Sequence, residues 1–219
     1  MLVISDLHFP FQNKNALGWL SQLKKEYKPD KIISIGDEVD MAAMSFHDTN
    51  PDMPSAKDEY LYALACMKDL YKIFPTMDIC VSNHGARLFR RAFKNGIPSA
   101  MVKNYRELWK APKTYNWHGR ILFEGVVYEH GDGGGSGRNA AFTAMQANRM
   151  STVIGHTHSF GGVQYSATPF GQHFALNVGC LIDLDAPAFM YGDKFRNKPT
   201  LGCGLVVDGR DAHFLRLPK

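Results

Sequence analysis

Leu2-Val3-Ile4-Ser5-Asp6-Leu7-His8-Phe9-Pro10 decides how this chain is expected to fold. A short apolar run, Leu2 to Ser5, has the look of a buried strand and leads straight into a loop carrying Asp6 and His8. The same design recurs. Ile32 to Ile35 leads into Gly36-Asp37-Glu38-Val39-Asp40, and Asp78 to Val81 leads into Ser82-Asn83-His84-Gly85. Val126 to Glu129 leads into His130-Gly131-Asp132, and Thr152 to Ile154 leads into Gly155-His156-Thr157-His158. Ligands of open α/β sheets gather at the carboxyl ends of strands. Laid side by side, these five strand ends would bring Asp6, His8, Asp37, Asn83, His130, His156 and His158 to one patch.

The segments between them support that arrangement. Asn15 to Tyr27 carries Ala16, Trp19, Leu20 and Leu23 at helical spacing, and Pro29-Asp30 breaks it. Ser55 can cap a helix starting near Ala56, with Asp58 as its box-like partner. Leu61, Leu64, Leu70 and Ile73 lie near one face of that helix, and Pro75 closes it. Alternating strands and helices predict an α/β fold with parallel strands. The second half is richer in strands. A hairpin over 121–123 and 126–129 turns near Glu124-Gly125, a helix covers 139–150, and strands follow at 152–154, 163–167, 174–178, 204–207 and 213–217. The stretch 186–200 reads as a long surface loop or flap. There is no internal repeat and no clear linker, so residues 1–219 read as a single domain.

Composition narrows the class. With 45% hydrophobic residues the chain can build a substantial core. A net charge of +4 gives no global signal for a polyanionic partner. Cys66, Cys80, Cys180 and Cys203 lack CxxC spacing, which argues for reduced buried thiols over a zinc knot or a disulfide framework. No signal-peptide pattern opens the sequence, and no apolar stretch is long enough to span a bilayer. The expected setting is the cytoplasm, with no membrane partner.

The collected side chains suggest a metal centre. Oxygen and imidazole ligands together suit Mn, Fe, Zn or Co better than Ca. Seven ligands are too many for one ion and suit two ions sharing a carboxylate. Two ions roughly 3.5–4 Å apart clamp an in-line displacement at phosphorus. A histidine beside them can protonate the leaving oxygen, and His84 follows Asn83 directly.

Asp6-x-His8, Gly36-Asp37-x-x-Asp40, Asn83-His84, His130 and Gly155-His156-x-His158, in that order, resemble the calcineurin-like metallophosphoesterase superfamily. The resemblance implies a four-layer α/β/β/α sandwich with two central mixed β-sheets. It implies one divalent ion on Asp6, His8, Asp37 and His158, and a second on Asp37, Asn83, His130 and His156. Manganese is the metal expected first, with iron, zinc, cobalt and nickel as alternatives. His84 would be the general acid and Asp40 would orient it. Two departures stand out. The Asp-Arg-Gly of the protein phosphatase branch is replaced by Asp40-Met41-Ala42, and the usual Gly-Asn-His-Asp/Glu reads Ser82-Asn83-His84-Gly85. Arg87-Leu88 is similar to the Arg-Leu pair of small phage and bacterial members of the superfamily.

Arg87, Arg90, Arg91 and Lys94 fall near one helical face. They read either as an electropositive wall for a phosphate chain or nucleic acid, or as a solvated surface. Arg87, nearest the metal patch, is the substrate-binding candidate. Gly133 to Gly137 reads as a mobile connection more than a phosphate cradle. His47, His118, His173 and His213 read as structural, and Trp109, Tyr115 and Trp117 as core more than lid. The function expected is a dinuclear-metal-dependent phosphodiesterase acting on nucleotides or nucleic acid, by in-line attack of a metal-bound hydroxide. A phosphomonoesterase on the same site, or an inactive binding module of the same fold, are the alternatives. Nothing in the sequence sets an oligomeric state.

Overall fold

The computed structural model of the protein describes residues 1–46, 50–135, 137–194 and 196–218. His47, Ser136 of the glycine-rich loop and Phe195 of the 186–200 stretch lie outside these residues. Two mixed sheets lie face to face. The first contains β1 (Leu2–Ile4), β2 (Ile32–Ser34), β3 (Met77–Cys80), β4 (Tyr115–His118), β10 (Gly202–Val207) and β11 (Asp211–Arg216), in the order β11-β10-β1-β2-β3-β4. β1 to β4 are parallel, and β10 and β11 join antiparallel beside β1. The second contains β5 (Ile121–Phe123), β6 (Val126–Tyr128), β7 (Ser151–Ile154), β8 (Gly161–Thr168) and β9 (Gly171–Val178), in the order β5-β6-β7-β9-β8. β6, β7 and β9 run parallel, flanked by antiparallel β5 and β8.

Side-chain alternation along these strands makes the layers. Leu2, Ile4 and Ile79 pack with Leu20 and Leu23 of α1 (Ala16–Tyr27) and with Met67 and Leu70 of α2 (Ala56–Ile73). Val3, Ile33 and Cys80 point the other way, into a second core with Tyr128, Val153, Phe174 and Leu176 of the facing sheet. Ala140, Ala141 and Met145 of α4 (Ala140–Asn148) cover the outer face of that sheet at Ile154 and Ala175. The result is the four-layer α/β/β/α sandwich.

Local signals account for most element ends. Ser55 Oγ accepts the Asp58 N–H at 3.2 Å and caps α2. α1 ends at Lys28, whose left-handed backbone returns its N–H to Lys24 O. Glu124 and Gly125 both take positive φ, as the tight turn between β5 and β6 requires. The buried stripe of α2 is Glu59, Ala63, Leu64, Met67 and Leu70, so Leu61 falls outside it and is 47% exposed. β4, hidden in an aromatic stretch after Pro112, is a strand the sequence pattern does not announce. Trp109 and Tyr115 are fully buried in the core beneath α2 and do not form a lid. The four cysteines are free thiols. Within the 186–200 stretch, Pro187–Lys194 forms a 3-10 helix, and Ala186 and Phe189 pack with Cys180 and Ile182. Among the described residues no helix is long and apolar enough to cross a membrane.

The loop after β2 is fixed from a distance. The buried Glu59 carboxylate accepts the Ala42 N–H at 2.6 Å and the Ala43 N–H at 2.9 Å. Replacing it leaves two donors without an acceptor. Glu59→Ala should lower unfolding stability by about 2–3 kcal/mol in denaturant melts. Leu61→Ala on the same helix should change it by less than about 0.5 kcal/mol.

Candidate metal centre

All five strand ends meet at one edge of the sandwich. Backbone hydrogen bonds lace the loops together: Asp6 N–H to Gly36 O, His8 N–H to Asp37 O, Phe9 N–H to Glu38 O, and Asp40 N–H back to Phe9 O. On the second sheet the Gly155 N–H donates to His130 O. The two sheets are tied by the His156 N–H, which donates to Asp6 Oδ2 at 3.0 Å. Asp6, His8, Asp37, His156 and His158 all take left-handed backbone, with φ between 48 and 64°. Non-glycine residues rarely adopt it, and each instance costs about 1–2 kcal/mol. Such strain collects at functional sites held in place by their surroundings.

The seven expected ligands do converge. Asp6, His8 and His158 form one group and Asp37, His130 and His156 another, the ligand atoms within each lying within 4.8 Å of one another. His158 Nε2 is 2.9 Å from Asp6 Oδ1 and 3.1 Å from His8 Nε2. His130 Nε2 is 3.2 Å from Asp37 Oδ2, 3.2 Å from His156 Nδ1 and 2.7 Å from Asn83 Oδ1. Asp37 Oδ2 faces both groups, being also 3.6 Å from His8 Nε2. Its other oxygen, Oδ1, accepts the His84 N–H at 3.1 Å.

Two hydrogen bonds show why a cation fits here. His130 Nδ1 lies 2.9 Å from Ile35 O, which can only accept, so Nδ1 carries the hydrogen. In the neutral ring Nε2 is then a lone pair, aimed at carboxylate and amide oxygens. His8 Nδ1 meets Asp40 Oδ1 at 2.7 Å and likewise leaves Nε2 as a lone pair facing Asp6, Asp37 and His158. With neutral rings, acceptors crowd around acceptors, and a positive charge is needed among them, either a second proton on the ring or a metal ion. A carboxylate behind a histidine is also the usual support of a metal-binding imidazole. Nitrogen and oxygen donors without sulfur fit a transition-metal ion.

The titrations tell the same story. Burial works against the Asp37 carboxylate, yet His130 and His84 hold it well below the usual range. Burial likewise opposes ionisation of Asp6 and Asp40, and their histidine partners overcome it. Burial alone would lower His8, but its bonds to Asp40 and Asp6 push it up to about 10. His130, also buried, rises to about 9 under the Asp37 charge. Burial and the neighbouring His130 lower His156. The field that draws protons onto these rings is one a metal ion would exploit in their place.

The remaining expected residues sit at the rim. Asp40 does more than orient His84. Its Oδ1 meets His84 Nδ1 at 2.9 Å as well as His8 Nδ1, so one carboxylate sets two rings. The Arg87 guanidinium donates to Asp40 O at 2.8 Å and lies 3.2 Å from His84 Nε2. Among the described residues, His118, His173 and His213 join neither group. Sequence reasoning passed over four contributors. Ser82 Oγ accepts the Asp37 N–H at 2.8 Å and the Gly85 N–H at 3.3 Å. Its signal was present, since Ser82 stands where the resembling motif has glycine. Ser5 donates its hydroxyl to Asp6 Oδ2. The Phe189 ring packs edge-on against His8, centroids 5.3 Å apart. Glu38 is fully buried beside Trp117 Nε1, and burial raises it to about 7.

No family model matches the chain. Gene 54 protein of Mycobacterium phage D29 is 25% identical over 237 residues, covering 95% of this chain and 89% of that protein. Among solved structures, Vps29 of Chaetomium thermophilum aligns over 94% of this chain and 84% of its own, at 13% identity and a TM-score of 0.38. That superposition is too loose to argue from.

A methyl group on Gly155 would overlap Ser5 Oγ and the Asp6 carboxylate. Gly155→Ala should therefore weaken metal binding about 10–100-fold, read by competition with a chelating dye. Unchanged affinity would remove Asp6 from the ligand set. Glu38 yields a pH signature in chelator-treated protein. Its folded pKa of about 7 exceeds the ordinary 4.5, so its contribution to stability is full below 4.5 and lost as pH rises through about 7. Glu38→Gln should gain stability relative to wild type across that window, and parallel stability curves would contradict the assignment.

Proposed function

We propose that this chain is a dinuclear-metal-dependent phosphoesterase of the calcineurin-like metallophosphoesterase type, one domain over residues 1–219, preferring phosphodiesters. The observation that carries the reading is Asp37 Oδ2, one carboxylate oxygen facing the ligand atoms of two histidine groups. Asp6, His8, His158 and Asp37 would hold one ion, and Asp37, Asn83, His130 and His156 the other. Divalent ions so held, manganese first among them, would lower the pKa of a bound water and neutralise phosphoryl oxygens.

The chain's own residues supply the rest. His84 has its Nδ1 committed to Asp40, through Oδ1 at 2.9 Å and the backbone oxygen at 3.0 Å. That fixes the ring with Nε2, 4.0 Å from Asp37 Oδ2, accepting from the Arg87 guanidinium; once Arg87 turns to a phosphate oxygen, a protonated Nε2 can hand its proton to the leaving oxygen. Arg87, beside His84 Nε2, brings a positive charge to the same side of the site, where it can meet a non-bridging phosphate oxygen. The diester preference follows from what succeeds Asp40. Met41 is buried where the protein phosphatase branch has an arginine, and the Ala42 N–H is taken by Glu59, so the second positive charge that a monoester dianion would call for beside Arg87 is not supplied from this position.

The test is turnover of bis-p-nitrophenyl phosphate and p-nitrophenyl phosphate by purified protein, with manganese and after chelation. We expect manganese-dependent cleavage, faster on the diester, and its loss in Asp37→Asn. His84→Asn should keep its metal yet slow esters with poor leaving groups about 100-fold or more, sparing activated ones. Metal-loaded wild type that turns over no phosphoester sinks the reading. Faster monoester cleavage makes the protein a phosphatase.

A further inference from the structure

We infer that α3 (Arg87–Lys94) and the Phe46 ring beside it form a track for single-stranded nucleic acid leading to the metal centre. The inference rests on the diesterase reading and names its substrate class.

Charge is the first observation. Between Ile79 and Arg106 the sequence contains Arg87, Arg90, Arg91, Lys94, Lys103 and Arg106 and no Asp or Glu. Arg87, Arg90 and Lys94 recur at i, i+3 and i+7, which places them along one side of α3. That row begins at the centre itself, because Arg87 is 3.2 Å from His84 Nε2. It ends about 10 Å further along the helix, at 1.5 Å per residue. A phosphate chain laid on it would have one diester at His84 and its neighbours on Arg90 and Lys94.

Aromatic placement is the second. The Phe46 ring is surrounded by the Arg91 guanidinium at 4.3 Å, the Arg90 guanidinium at 5.1 Å and the Lys94 ammonium at 5.3 Å. Arg91 is fixed there by donating to Met44 O and Ser45 O. Phe46, Phe89, Arg90, Phe93, Ile97 and Val102 line an open cavity of about 460 Å³. Phe93 is 86% exposed at its edge. A merely solvated helix face would mix acids with bases and turn its aromatic side chains inward; α3 carries no acid, and while Phe89 packs on Tyr105, Phe93 is turned outward. Cations interleaved with accessible rings match a single strand, whose unstacked bases can lie on aromatic faces while its phosphates meet Arg and Lys. A duplex keeps its bases stacked and would leave the cavity unused.

Binding is tested without catalysis. The probe is a fluorescein-labelled oligothymidylate of about 15 nucleotides, followed by anisotropy with chelator-treated full-length protein across a salt series. We expect salt-sensitive binding. Arg90→Ala with Lys94→Ala should weaken it at least tenfold and reduce the log–log salt slope by about 1.4. Phe93→Ala should weaken it severalfold without changing that slope or the circular dichroism spectrum. Hydrolysis of bis-p-nitrophenyl phosphate by the same variants should match wild type. Failure to bind the oligonucleotide, or equal binding by wild type and the double variant, overturns the track while leaving the diesterase reading standing. Binding as expected without cleavage of any diester supports the track and removes the diesterase. A wild type that ignores the oligonucleotide but self-associates, with Phe93→Ala restoring the monomer in sedimentation, makes the patch a protein interface and overturns the inference.

Discussion

The Asp37 carboxylate is buried, and a buried charge must be met by opposite charge and hydrogen bonds or it will not stay ionised. Much of the surrounding architecture satisfies that requirement. Ser82 takes the Asp37 backbone N–H, and the His84 N–H takes one carboxylate oxygen. Imidazoles from both sheets surround the other. Asp6 is treated likewise, with Oδ2 held by Ser5 and the His156 N–H while Oδ1 faces His158. In both residues one oxygen is fixed by the protein and the other is turned toward the centre.

Five left-handed residues in this small volume cost about 5–10 kcal/mol together, at about 1–2 kcal/mol each. The strands beneath them can carry that load. Leu2, Val3, Ile4 and Ile33 are fully buried, and complete burial of such side chains contributes about 1.5–3 kcal/mol each. Gly36 shows how little slack remains, because a Cβ there would approach His130 Nδ1 to 3.1 Å.

The sequence disclosed what depends on neighbours along the chain. Strand ends could be read because apolar runs stop abruptly at Asp, His or Asn. Ser55 could be read as a cap because its partner, Asp58, is three residues away. What escaped depends on residues far apart. Glu59 reaches back to Ala42 and Ala43, Phe189 arrives at His8 from the far end of the chain, and Trp117 stacks beside Tyr105 in a strand hidden among aromatics. The second role of Asp40 escaped for the same reason, since His8 lies 32 residues earlier. The Leu61 misplacement is of another kind. Three leucines and an isoleucine fit a helical stripe loosely, while the buried one runs through Glu59, Ala63 and Met67 and thus includes a charged residue.

β1, the strand that ends in Asp6 and His8, pairs on one side with β2 and on the other with β10, which comes from residues 202–207. The Met1 ammonium even donates to Val206 O. On the ribosome, β1 is therefore made well before β10 and keeps one open edge until residues 202–207 have followed it. An open strand edge is a template for mispairing. Late closure of this kind also favours partly folded intermediates. The seven ligand candidates all lie between residues 6 and 158, so the ion site would be complete along the chain before β10 arrives to close that edge.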